Sequence, residues 1–277
     1  YLVFLNGEYF AVLGAKDRRD ATFLQHQYGL PDQDVELLSF DYANEMDVQG
    51  PRLAAKKGDF EFWDAMLEAL EKEPGMPIQQ INELLDLESF IDYHAAEIYM
   101  VNTDWPSNNY SFWRYTGNEI KSRPAADGKW RWILYDLDRA FRRPDTDMLS
   151  YLESDEPKRD KDQSHANKLY KLLIAHPEIR QQFIIRFADL INSTFVPERV
   201  IAFIEHMKDQ MQEEMPRHIA RWGAPISMGY WENHLDNMID FARERPAAQR
   251  QHLRDYFGLG DLYTLNINVV LEDADGH

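Results

Sequence analysis

A chain of 277 residues with 44% hydrophobic and 13% aromatic content is globular by composition and long enough to bury a sizeable core. Its formal net charge of −18 argues against nucleic acid and anionic membrane surfaces, which attract clustered Lys and Arg, and favours a basic protein partner or simple solubility. Without cysteine, disulfides, thiolate metal sites and cysteine nucleophiles are excluded together, and no apolar run approaches the roughly 20 residues of a membrane span, so no membrane insertion is expected.

The chain opens with 1-YLVFLNGEYFAVLGAKD-17, two apolar runs flanking Asn6-Gly7. Both turn residues accept positive φ, so the spacing predicts a β-hairpin. Residue 1 already lies in a strand-like run with no initiating Met or leader, so the chain is expected to be a piece of a longer protein. The segment 20-DATFLQHQYGL-30 reads as a helix started by Asp20 and stopped by Gly29. Helical periodicity follows over 59–73 and 77–100. Two strand-like runs, 109-NYSFWRY-115 and 129-KWRWILYDLD-138, are joined by a turn at Ala125–Gly128.

Residues 153–166 read as a charged, Pro-containing loop. Helices are expected over 167–175, 177–193, 197–222, 228–244 and 246–257, and the tail from 261 alternates like a strand. The layout is α+β, with strands near the front and helices behind. One domain is expected over 1–265, with a lobe-like division near 1–76 and 77–265, and 266–277 begins a linker or a following module.

Chemistry concentrates in 102-NTDWPSNNYSFWR-114. Asp104 and Asn109 lie five residues apart between a helix and a strand, and the hairpin partner returns to Asp136 and Asp138. Antiparallel pairing would bring Asp136 back beside Asn109, and alternation along the strand would point Asp136 and Asp138 the same way. Two carboxylates and an amide suit Mg²⁺ or Mn²⁺ rather than zinc. The order Asp-x₄-Asn and then a later Asp is that of a phosphoryl-transfer loop, where one carboxylate accepts the hydroxyl proton and oxygen ligands hold the metal. The same residues serve equally as a helix cap, a loop former and a turn former.

Asp92, His94 and Glu97, on the preceding helix, have no metal-converging spacing, and His218, Arg221 and Trp222 read as a packed corner. The nine histidines form no H-x-x-x-H pair, and no G-x-S-x-G occurs.

The runs 102–114 and 129-KWRWILYDLDRAF-141 closely resemble the N-x-D-x₄-N-Y and W-x-W-I-x-x-D-x-D motifs of the CotH (spore coat protein H) kinase-like family. The opening 4-FLNGEYFAVLGAKDRRD-20 resembles its N-terminal signature, with Tyr9-Phe10-Ala11 in place of Tyr-Trp-Gly and Lys16-Asp17-Arg18 in place of Arg-Glu-Arg. Stretches 176–195, 217–225, 231–245 and 257–259 match its helical half, so the likeness spans roughly residues 4 to 260. It implies an atypical protein-kinase-like fold, ATP with Mg²⁺ or Mn²⁺, and phosphoryl transfer to Ser or Thr of a secreted or envelope protein of unknown identity.

Carried over by position, Asp104 is the catalytic-loop residue, Asn109 and Asp136 are metal ligands and Asp138 a metal neighbour. Lys16 or Arg18, at the end of the first hairpin, is the phosphate-pairing cation, with Asp17 as its ion-pair partner. The alternative is a non-catalytic binding or assembly module within a large secreted modular protein.

Overall fold

The computed structural model describes residues 1–45, 48–106, 108–153 and 164–261. Two antiparallel sheets carry the front of the chain. The first is a hairpin of β1 (Leu2–Leu5) and β2 (Glu8–Val12), turned by Asn6 and Gly7 at φ 52° and 82°, as the Asn-Gly pair predicts. Helix α1 (Ala21–Tyr28) follows; the Asp20 side chain accepts the Phe23 N–H, and Gly29 closes the helix in the left-handed conformation.

The second sheet has the order β4-β3-β5-β6, from β3 (Val35–Glu45), β4 (Val48–Lys57), β5 (Tyr110–Tyr115) and β6 (Arg131–Ile133). The β3–β4 hairpin has no counterpart in the sequence reading, which left 31–58 unassigned. Its 35-VELLSF-40 run was the available signal, set against charged residues, Gly50 and Pro51 further on. Every residue of β5 is buried because both faces of the strand are covered. Tyr110 and Phe112 face a large core and Trp113 and Tyr115 a small one, as a period of two demands. The small core is closed by Leu24 and Leu30 around α1. The large core takes its other side from α2 (Glu61–Lys72), α3 (Ile78–Leu84), α4 (Leu87–Met100) and the C-terminal helices.

Several predicted boundaries move. The helix expected over 77–100 is broken at Leu85 and Asp86, where Leu85 bridges Trp130 and the Asp86 side chain caps α4 through the Ser89 N–H. Helix α5 (Met148–Glu153) was not anticipated; α6 (Ser164–Ala175) and α7 (Pro177–Asn192) agree with expectation. The helix expected over 197–222 is two, α8 (Pro197–Met211) and α9 (Met215–Trp222), with Pro216 early in the second. Conversely, Pro246 does not divide the last helix: α10 runs unbroken over Met228–Phe257, clamped at Arg245 beside the proline by buried and partly buried hydrogen bonds.

Helix α9 is the seat of the first hairpin. The Val12 N–H donates to His218 Nδ1 at 3.2 Å, the Trp222 indole N–H donates to the Phe10 carbonyl at 2.8 Å, and Arg217 lies over the Tyr9 ring. The strand-like tail from 262 and most of the charged 153–166 loop lie outside the described residues. Among the described residues no helix is long and apolar enough to cross a membrane.

Candidate functional site

Helix α4 delivers the chain to the site. It ends with Val101 in the left-handed conformation, and the Asn102 N–H turns back to the Glu97 carbonyl at 3.3 Å. The Asn102 side chain then accepts the Asp104 N–H at 3.3 Å, and the Asp104 carbonyl accepts the Asn108 N–H at 3.0 Å. Trp105, wholly buried, packs against Tyr93 and His94 and pins the loop to α4. At the loop's far end Asn109 is 4% exposed, and its carbonyl accepts the Tyr93 hydroxyl at 3.3 Å.

The β5–β6 register, Ser111 opposite Ile133 and Phe112 opposite Trp132, carries the chain past Ile133 alongside this loop. Asn109 Nδ2 donates to the Asp136 carbonyl at 3.4 Å, Thr103 Oγ1 donates to the Arg139 carbonyl at 3.4 Å, and the Phe141 N–H donates to the Met100 carbonyl at 2.9 Å. Two segments, 100–109 and 136–141, therefore run side by side in opposite directions. Asp104 lies on the first with its carboxylate 3.7 Å from Arg139 Nε on the second. Asp136 presents a half-exposed carboxylate 3.9 Å from Lys16 Nζ.

Backbone strain gathers here. Non-glycine residues with positive φ are Asn6, Val101, Asn109, Asp136 and Phe141 among the described residues, and all but the hairpin's Asn6 lie on or border these two segments. Asn and Asp tolerate the left-handed region because their short polar side chains bond locally, but a β-branched Val and a Phe do not. Such conformations persist where surrounding packing over-determines them, and they cluster at functional sites.

The structure thus brings Asn109 onto the Asp136 backbone and Lys16 onto the Asp136 carboxylate, and sets Asp104 on the adjoining stretch. It does not bring in Asp138 or Arg18. Strand β6 stops at Ile133 and Asp136 itself turns left-handed, so the alternation that would align Asp138 with Asp136 does not apply; Asp138 sits exposed in the next turn. No hydrogen bond or ion pair joins it to Asp104, Asn109 or Asp136 among the described residues. Arg18 pairs with Asp20 at 3.2 Å, on the side of a separate cleft of about 470 Å³ shared with His26 and Gln27.

The 13–19 stretch is not strand, so strand alternation does not set the directions of Lys16 and Arg18. Instead Lys16 and Arg19 both reach the 135–136 corner, the Arg19 guanidinium lying 3.3 Å from the Tyr135 ring centroid. Lys16 pairs with Asp136 rather than Asp17. Sequence reasoning missed Arg19, Arg139, Asn102 and Tyr93. Asn102 and Arg139 lay inside the quoted motifs and Arg19 beside the candidate cations, but residue type alone did not reveal their contacts.

The donor set bears on a metal. Among the described residues, no group of three His, Cys, Asp or Glu side chains is placed to hold an ion. The hard oxygens available are those of Asp136 and Asn109, with Asp104 nearby. That set fits Mg²⁺ presented on a polyphosphate, which is held by one or two carboxylates and completed by phosphate and water, rather than an ion held by protein alone.

Beneath the loop lies Glu97, an acid whose spacing on α4 predicts no metal site. Glu97 is fully buried and neither carboxyl oxygen makes a hydrogen bond of good geometry, although the Asn102 and Tyr93 side chains lie close enough to offset part of the burial. Burial pushes its carboxyl up to about 8, from an ordinary 4.5. The folded chain keeps a proton that the unfolded chain releases, so this stability is complete below pH 4.5 and is lost as pH rises through about 8. Glu97→Gln should match the wild type in urea at pH 5 and exceed it by a few kcal/mol at pH 9. An equal gap at both pH values would contradict the assignment.

An α+β fold that lays an Asp-x₄-Asn loop against a returning acidic segment, with a lysine at the acid, has the layout of a kinase-like protein. The chain matches the family model described as CotH kinase protein over residues 1–248, and it belongs to that family. No curated protein matches it in sequence.

Proposed function

We propose that this chain is an ATP- and divalent-metal-dependent phosphotransferase acting on Ser or Thr of a secreted or envelope protein. The observation that carries the reading is the contact of Asn109 with Asp136, with Lys16 on the Asp136 carboxylate, at the end of the loop that begins at Asp104. Asp136 and Asn109 would hold Mg²⁺ or Mn²⁺, which when bound to ATP neutralises charge on the β and γ phosphates. Lys16, 80% exposed on its side chain, is free to exchange the Asp136 carboxylate for a phosphate oxygen.

Asp104 orients the acceptor hydroxyl and takes its proton, its carboxylate remaining partly open to solvent beside Arg139. The net charge of −18 draws a basic acceptor segment toward the protein.

The test is a thermal melt with ATP, with and without Mg²⁺ or Mn²⁺. Ligand at about a hundred times its Kd stabilises by about 2.7 kcal/mol, enough to raise the midpoint by several degrees. The rise is expected only with metal and nucleotide together, and Asp136→Asn should abolish it. Asn is the fitting replacement because it tolerates the left-handed backbone at 136 that Ala would strain. A wild-type protein showing no metal-dependent rise would instead favour a non-catalytic binding or assembly module.

A further inference from the structure

We propose that Glu97 is a positioning residue that ties together the two ends of the 104–109 loop, through Asn102 on one side and Tyr93 on the other. This rests on the phosphotransfer reading of that loop and adds a member to it that touches neither substrate nor metal.

The hydrogen-bond inventory argues for it. The Asp104 N–H donates to Asn102 Oδ1, which leaves Asn102 Nδ2 buried with no acceptor. The Glu97 carboxyl is the neighbouring group with unused acceptor capacity. On the other side the Tyr93 hydroxyl spends its proton on the Asn109 carbonyl, so its oxygen can only accept. A carboxylic acid is the group that serves both neighbours: its carbonyl oxygen accepts from Asn102 Nδ2 and its O–H donates to Tyr93 Oη. Donation then runs in one direction, from the Asp104 amide to Asn102, from Asn102 to Glu97, from Glu97 to Tyr93 and from Tyr93 to the Asn109 carbonyl.

Every member is buried except Asp104, and buried polar groups left unpaired are costly, so each holds the next in one geometry. Burial keeps the acid protonated near neutral pH, as the donor role requires. A carboxylate in the same position could not donate.

The chain of donors makes a sharp distinction between two substitutions. Gln has one donor group and one acceptor in the same place and preserves the connection; Leu has neither but fills similar volume and removes a buried acid. Glu97→Leu should therefore fold, with a denaturation midpoint at pH 8 no lower than wild type. Its Asp104 amide should exchange with deuterium at least tenfold faster, and kcat for γ-phosphate transfer from ATP to a basic Ser-containing peptide should fall at least tenfold. KM for ATP should stay within threefold. Glu97→Gln should restore exchange and kcat to within threefold of wild type.

Unchanged Asp104 exchange in a folded Glu97→Leu, or a Glu97→Gln protein as impaired as Glu97→Leu, overturns the proposal. If Glu97→Leu does not fold, Tyr93→Phe decides: loss of one hydroxyl should speed exchange across 102–109 by at least threefold, and no change overturns the proposal. A wild-type protein that transfers no phosphate defeats the phosphotransfer reading, while the exchange comparison still decides the role of Glu97.

Discussion

Replacing Arg245 by alanine should lower the unfolding free energy by about 3–5 kcal/mol, the range for stripping one partner from a buried charged network. Arg245 is 0% exposed. It donates to the Tyr99 and Ile98 carbonyls at 2.8 Å each, to the Pro144 carbonyl at 2.7 Å, to the Thr146 carbonyl at 2.8 Å and to Gln249 Oε1 at 2.5 Å. The Ile98 and Tyr99 carbonyls belong to the last turn of α4, where Ile98 receives only a long 3.4 Å bond from the Val101 N–H and the helix dipole favours a cation. One guanidinium therefore caps α4, fixes the 144–146 stretch and bolts both to α10.

Burial pulls Arg245 down to about 10, which leaves it charged at neutral pH. Lysine is a poor substitute, since its three donors on a flexible stem do not match this planar fork. Arg245→Lys should recover less than half of the loss. Guanidinium denaturation of the three proteins measures this, and a loss below about 1 kcal/mol for Arg245→Ala would mean that α10 is held by apolar packing alone.

How much of this was legible depended on whether the determinant was local. Asn6-Gly7, Asp20 and Gly29 act through their own backbone, and each predicted element formed where its turn or cap residue stands. The Asn109–Asp136 contact was also readable, because antiparallel pairing of two strand-like runs fixes which residues meet at the open end. The shared face expected for Asp136 and Asp138 does not form because strand alternation ends at Ile133 and the backbone turns left-handed at 136.

Arg18 and Lys16 were inseparable by type or spacing. What separates them is a coil whose path is set by Arg19 on Tyr135 and by the first hairpin's anchorage on α9. The α10 helix runs against the local rule for proline because contacts as distant in sequence as Tyr99 override it. Glu97 was illegible for the same reason: an acid in an amphipathic helix ordinarily faces water, and only the assembled loop above it covers this one.

Asp104→Asn should reduce the rate of γ-phosphate transfer by about 10²–10⁴, the usual contribution of a positioned general base, with nucleotide KM little changed. The fold gives no competing reason for a large effect. The Asp104 side chain is 36% exposed and its partner Arg139 50% exposed, with 3.7 Å between the charged atoms. Exposed pairs of this kind contribute at most about 1 kcal/mol, and the Asp104 backbone bonds to Asn102 and Asn108 survive the substitution.

Arg139→Ala separates charge pairing from chemistry. It breaks the same ion pair but leaves the carboxylate in place, so it should retain transfer within about tenfold if Asp104 acts on the acceptor hydroxyl. Asp136→Asn should instead fail at the earlier stage, losing metal-dependent nucleotide binding. Equal losses for Asp104→Asn and Arg139→Ala would make the pair a structural clasp between the two antiparallel segments, and retained transfer in Asp104→Asn would remove Asp104 as the base.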